Sequence, residues 1–201
     1  MAGAKFELSF QESQFNAAIQ AMAASPAEIQ KAADRAARHT LRAMQTIIAK
    51  SLSKQFNIPY LKLRARLNVR KYNGASPVWI LWVGLNPMAV DQIGNVSQNT
   101  VGLQHRNGLV KGGFHQGLFG QGRKAWIRKK RARELGLKLP WMEAGNGRQP
   151  PKELKHKFPV IRIGTDLGAA AGDIIQHFNA KAKDRFVTRF VHELEFIRSK
   201  K

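Results

Sequence analysis

Six histidines, thirteen carboxylates and no cysteine are the residues from which this chain would have to build a reaction centre. His39, His105, His115, His156, His177 and His192 are scattered. None has a second histidine or a carboxylate at the His-Glu-x-x-His spacing that sets two metal ligands on one helix face. Asp173 and His177 stand four apart in a helical pattern, a spacing that reads as a solvated helix pair of modest worth rather than as a site. The lack of cysteine excludes thiolate catalysis, cysteine-ligated zinc and a disulfide framework together. No Gly-x-Ser-x-Gly elbow, Walker loop or dinucleotide fingerprint occurs. Gly112, Gly113, Gly117, Gly120 and Gly122 lack the strand, glycine-loop, Lys-Ser/Thr order of a P-loop, and they read as tight strand turns. The acids are dispersed, whereas a lysin would place a carboxylate pair. The expectation is a non-enzyme with no cofactor and no metal.

Positive charge is what the chain does offer. Lys and Arg number 34 against 13 acids, a formal net charge of +21. Self-repulsion of that size implies an anionic partner. Between Arg35 and Arg133 there are nineteen Lys or Arg and a single acid, Asp91, so the excess belongs to the folded body rather than to a tail. Phosphates of DNA or RNA would satisfy it, and so would an acidic ring of protein subunits. The densest run is Arg123, Lys124, Arg128, Lys129, Lys130, Arg131 and Arg133, with Trp126 inside it. That tryptophan either stacks on a base or an arginine, or packs inward while the cations are merely solvated. No recognised DNA-binding module accompanies the charge.

The elements that must carry these residues are partly legible. Phe15, Ile19 and Met22 fall at helical spacing and suggest a short first helix ending near Ala24. Ser25-Pro26-Ala27-Glu28 combines an N-cap serine, a first-turn proline and a glutamate placed to close a capping box. A long helix should follow, with Ile29, Ala33, Ala36, Thr40, Met44, Ile47 and Ser51 on one narrow face and Ala37, Leu41, Ile48 and Leu52 beside it, stopping before Asn57-Ile58-Pro59. Leu61, Leu63, Ala65, Leu67 and Val69 alternate with polar residues, which predicts a strand with a basic face. The rival reading is a helical turn from Pro59 to Ala65, with only Leu67 to Tyr72 extended. Asn73-Gly74 marks a turn, and Val78 to Val83 has the β-branched and aromatic composition of its partner strand. Further extended segments are expected at 100–104, 108–119, 125–130 and 158–164, with a long loop over 131–157. Thr165 or Asp166 should cap a final helix carrying Leu167, Ala171, Ile174, Phe178, Ala182, Arg185, Phe190, Leu194 and Ile197 on one face. Gly168 and Gly172 in it suggest close packing on a neighbouring element.

The predicted architecture is α+β: an antiparallel or mixed sheet packed against a long N-terminal and a long C-terminal helix. One domain over 1–201 is expected, with a helical part over 1–55, a β-rich body over 61–164 and the C-terminal helix over 165–199. The longest apolar run, Val78 to Leu85, is far shorter than the roughly 20 residues of a membrane span. Glu7, Ser9 and Gln11 fall where a secretion signal would be apolar, so folding in a cytoplasm is expected.

An ordered series of short motifs gives the chain a resemblance. Ala33-Asp34-Arg35-Ala36 and Ala43 lie in the long helix, followed by Phe56-Asn57-Ile58-Pro59, Leu63-Arg64 and Arg66-Leu67. Then come Val78-Trp79, Trp82-Val83-Gly84-Leu85-Asn86-Pro87, Gly102, Gly113-Phe114, Trp126-Ile127-Arg128-Lys129 and Phe158-Pro159-Val160. Over roughly 27–164 this resembles the minor tail protein Z family of long-tailed bacteriophages, which act in completing the tail before it joins the head. A longer basic insert between Lys130 and Phe158 and an extended final helix depart from the family pattern. The resemblance implies a structural subunit of the virion, assembled in the host cytoplasm as a ring or end-cap with copies of itself and with tube, terminator or connector proteins. It implies no catalytic residue. Arg64, Arg66, Arg70 and the run from Arg123 to Arg133 are the expected contacts to an acidic ring or to the leading DNA end.

Overall fold

The computed structural model describes residues 3–7, 19–20, 23–73, 78–118, 122–140 and 160–200. It is an α+β fold of two long helices and several small antiparallel sheets, and it divides into two compact units. The first comprises the described residues of Met1–Leu52, Leu63–Gly84 and Ala170–Lys201, and the second those of Ser53–Lys62 and Leu85–Ala169.

Helix α1 runs over Pro26–Phe56. Its start is the capping box that the sequence announces. The Ser25 amide and hydroxyl both donate to Glu28 Oε2, at 2.8 and 2.9 Å, while the Glu28 amide donates to Ser25 Oγ at 3.4 Å. Ser25→Ala removes the side-chain half of this exchange and should lower stability by about 1 kcal/mol in urea unfolding. At the other end Asn57 turns the chain with φ +49° and the Ile58 amide reaches back to the Ser53 carbonyl at 3.2 Å. Pro59 then forbids continuation. The buried stripe of α1 runs through Ala32, Ala36, Ala37, Leu41, Met44, Ile48 and Leu52. It joins Ala36 and Met44 of the predicted face to their predicted neighbours Ala37, Leu41, Ile48 and Leu52, while Ala33, Ile47 and Ser51 are only partly covered.

Within the first unit, strands β1 (Gly3–Glu7), β2 (Leu67–Tyr72) and β3 (Val78–Gly84) form an antiparallel sheet in the order β1-β3-β2. Leu67 pairs with Val83, Val69 with Leu81 and Lys71 with Trp79. That face lies on α1: Lys71 Nζ and Trp79 Nε1 both donate to the Asp34 carboxylate, and Gln45 Nε2 donates to the Leu67 carbonyl. The second long helix, α5 (Gly168–Arg198), begins with the Gly168 amide donating to Asp166 Oδ1 at 2.9 Å, as the predicted cap requires. Its Phe186, Phe190 and Leu194 are buried against Ala32, Ala36 and Ala37 of α1. Large side chains on one helix fill the space that alanines leave on the other. The predicted face included Arg185, which is exposed; the buried line follows four-residue steps through Ala182, Phe186, Phe190 and Leu194. Among the described residues nothing lies within 4 Å of where a Cβ would stand on Gly172, so the two glycines make no close helix crossing there.

The rival reading holds at residues 60–64. Helix α2 (Tyr60–Arg64) replaces the predicted strand, with the Lys62 amide donating to the Pro59 carbonyl at 3.0 Å. Leu63 is buried while Leu61 is 73% exposed, so the alternating leucines do not share a core.

The second unit builds its core from Val90, Leu103, Ala125, Ile127, Ala132, Leu139, Ile161 and Ile163. Strand β4 (Met88–Ala89) leads into the short helix α3 (Val90–Ile93). Strands β5 (Ser97–Gln98), β6 (Gly102–His105) and β7 (Gly108–Lys111) form one sheet. Strands β8 (Gly113–Gln116), β9 (Lys124–Arg128) and β10 (Val160–Arg162) form another in the order β10-β9-β8. Strand β11 (Gly164–Thr165) pairs with β4. The single extended segment expected over 108–119 breaks at Gly112, whose φ of +73° an L side chain rarely adopts. Where a loop was expected from Arg131, the chain forms helix α4 (Lys129–Glu134), closed by Gly136 with φ +62°. Ala132 is its anchor in the core. The remainder of the expected loop, over 141–157, lies outside the described residues, as do Phe158 and Pro159, Phe15 and Met22 of the first expected helix, and Gly74 of the hairpin turn.

Candidate functional site

The described surface presents a concentration of positive charge. No group of three His, Cys, Asp or Glu residues that could hold a metal ion occurs among the described residues. Asp173 and His177 are both exposed and form no ion pair with each other. No helix of the described chain is long and apolar enough to cross a membrane.

The predicted cations fall into two groups, one on each unit. In the first unit, Arg64 closes α2 and is exposed, Arg70 is exposed on β2, and Arg66 is half-buried in the turn between them. Partial burial pushes the Arg66 guanidinium pKa down, yet an arginine of this kind stays charged at any physiological pH. Its carbonyl accepts the Gly84 amide at 2.9 Å, so part of this residue's role is to tie β2 to β3.

In the second unit the run from Arg123 to Arg133 is split between a strand and a helix. Lys124, Trp126 and Arg128 lie on one face of β9, and Ala125 and Ile127 on the core face. Helix α4 then turns Ala132 inward, which leaves Lys129, Lys130, Arg131 and Arg133 exposed around it. Arg131 pairs with Glu134 at 3.1 Å. Arg123, Arg128, Lys129, Lys130 and Arg133 make no ion pair among the described residues, so their charge faces solvent. Like charges packed this closely repel, and an anion placed over them would relieve that repulsion.

Trp126 is buried and takes no part in that surface. Its Nε1–H donates to the Gln116 carbonyl at 3.1 Å, and the Arg162 guanidinium lies 5.8 Å from its ring centroid. The arginine that stacks on it is thus supplied by the neighbouring strand, where Arg162 pairs with Trp126. Arg162 is held in turn by Asp91: its Nη2 lies 2.7 Å from both carboxylate oxygens, and the Ala125 amide donates to Oδ1 at 3.4 Å. The lone acid of the basic stretch is therefore used internally, and it leaves the outer cations uncompensated.

Two other acids do the same in the first unit. Glu193, 5% exposed, lies 2.7 Å from Arg189, 3.6 Å from Arg35 and 4.0 Å from His39. Asp34 holds Lys71 and Trp79. Sequence reading missed all three anchors, since Arg162, Lys71 and Arg35 lie far along the chain from the acids they meet; Asp91 alone had a signal, its isolation among cations.

One titrating group sits at a joint of the second unit. The Asn107 amide donates to His105 Nδ1 at 3.2 Å, which requires neutral imidazole, and burial pushes the His105 pKa below its ordinary value of 6.5. The same turn holds the end of α1 through Asn107 Nδ2 to the Phe56 carbonyl at 3.0 Å and Arg106 Nε to Asn57 Oδ1 at 3.1 Å. A depressed folded pKa means that the unfolded chain binds the proton first. The stabilisation is complete above pH 6.5 and is lost as pH falls from there through the lower folded value. A falling thermal midpoint over that window, flattened in His105→Gln, is the expected result.

No protein-family model, no characterised protein and no solved structure matches this chain.

Proposed function

We propose that the protein is a structural subunit of a long-tailed bacteriophage virion, a minor tail or tail-completion protein that seats by its basic surface on acidic tail or neck subunits. The observation that carries this reading is the set of exposed cations on β9 and α4, held on a rigid core while the nearby acid, Asp91, is consumed inside. The order of short motifs shared with the minor tail protein Z family supplies the identity of the assembly. Self-association into a ring, with tube, terminator or connector proteins as neighbours, follows from that resemblance. Direct contact with the phage DNA end belongs to the same reading, because phosphate and carboxylate surfaces make the same electrostatic demand.

Alanine at Arg128, Lys129, Lys130 and Arg133 should lower the yield of joined, infectious particles by several-fold without changing the unfolding free energy by more than about 0.5 kcal/mol for each residue. Rim charges set association rates, so the loss should shrink when joining is assayed at high salt and long incubation. Unchanged joining in these variants would refute the assignment of this surface.

A further inference from the structure

The sheet of the first unit has a second face, opposite the one that meets α1. Cross-strand partners in an antiparallel sheet share a face, so Asn68 with Trp82, Arg70 with Ile80 and Tyr72 with Val78 all lie opposite the side that meets α1. Tyr72 is 53% exposed and Val78 39%, Arg70 is exposed, and Ile80 and Trp82 are half-buried. The Trp82 ring lies down over its own strand. A Cβ on Gly84 would stand 2.9 Å from its Cζ3 and 3.0 Å from its Cη2, so only glycine leaves room for it. On the neighbouring strand Lys5 pairs with Trp82 and Glu7 with Ile80.

We propose that this face binds single-stranded nucleic acid, with bases stacking on Trp82 and Tyr72 and a phosphate between them meeting Arg70. The two aromatic rungs are four residues apart, roughly 13 Å along the strands, room for more than one nucleotide. The cation sits midway. Arg, Trp and Tyr are also enriched at protein–protein interfaces, so an acidic protein is the competing occupant that the comparison ligand tests. A single strand puts its phosphates where the cation already is and its bases on the rings, a combination that favours binding without sequence reading. With a net charge of +21, long-range attraction works in the same direction. This inference is independent of the tail reading.

The test uses the full chain and fluorescein-labelled oligo-dT of about 20 nucleotides, with a duplex of the same length and poly-L-glutamate as comparison ligands. Tyr72→Ala combined with Trp82→Ala should weaken oligo-dT binding by about tenfold or more while duplex affinity changes little. Tyr72→Phe and Trp82→Phe should stay within about threefold of the wild type, since both rings remain. Arg70→Gln should reduce the slope of log affinity against log salt by about 0.7. Photo-cross-linking of bromouridine-substituted oligonucleotide to the unmodified protein should map to Trp82 or Tyr72, a readout that survives any folding defect of the alanine variants. The proposal is overturned by ring-independent binding of oligo-dT, by equal losses for duplex and single strand, or by cross-links confined to other residues. Poly-L-glutamate binding with the same dependence on both rings would also overturn it and identify an acidic protein as the occupant.

Discussion

Phe186→Ala should cost about 3–5 kcal/mol of stability, a large share of what a domain of this size has to lose. Phe186 is 2% exposed and stacks on Phe190 with ring centroids 6.1 Å apart and planes 23° from parallel. Its neighbours on α1 are Ala32, Ala36 and Ala37. Alanines have no side chain with which to close a cavity, so the site relaxes little and the full packing loss is felt. The control is Phe196 on the same helix, 41% exposed with Lys200 Nζ 4.6 Å from its ring centroid. Phe196→Ala should cost less than about 1 kcal/mol. Urea unfolding with an unchanged slope distinguishes the two. Equal effects would mean that the two long helices do not pack as described.

Asp91→Ala should cost the second unit about 2–4 kcal/mol, because it strands the Arg162 guanidinium against Trp126 and leaves the Ala125 amide without its acceptor. The side chains of Arg162 and Asp91 are 22% and 14% exposed, which keeps the figure below that of a fully buried pair. The pair itself is not the source of stability; its half-removal is the source of damage. Arg162→Met in the Asp91→Ala background should therefore recover a good part of the loss, since methionine keeps the contact with the indole and buries no charge. A double variant as unstable as the sum of the single ones would show that the two residues act independently.

These anchors show which parts of the fold could be read from the residues and which could not. The start of α1 was legible because a capping box is local chemistry: Ser25, Pro26 and Glu28 dictate it whatever the rest of the chain does. The end at Asn57-Ile58-Pro59 was legible for the same reason. The α+β class followed from the two long helical periodicities flanking β-branched, aromatic segments. The leucines at 61 and 63 misled, because alternation over five residues is also produced by one helical turn with a single buried leucine. The division into four small sheets was hidden, since strands of two to seven residues leave little pattern and their pairing is set by distant partners. Asp91 with Arg162, Asp34 with Lys71 and Glu193 with Arg35 join residues 71, 37 and 158 positions apart, and no local rule proposes such matches. For the candidate site the residue types were evident from composition. Their grouping was not: Arg64, Arg66 and Arg70 belong to one unit and the run from Arg123 to Arg133 to the other. Trp126, inside that run by sequence and on the same face of β9 as Lys124 and Arg128, is covered there by Arg162 of the neighbouring strand.

We propose that this polypeptide is a building part of a particle. Quantitative mass spectrometry of the purified particles in which the proposed role would place it, with cryo-electron microscopy of the same preparation, tests that most directly. The account predicts a fixed copy number per particle and density for the two long helices at the tail end or head–tail junction. Particles that are complete and infectious yet contain none of the chain would contradict it.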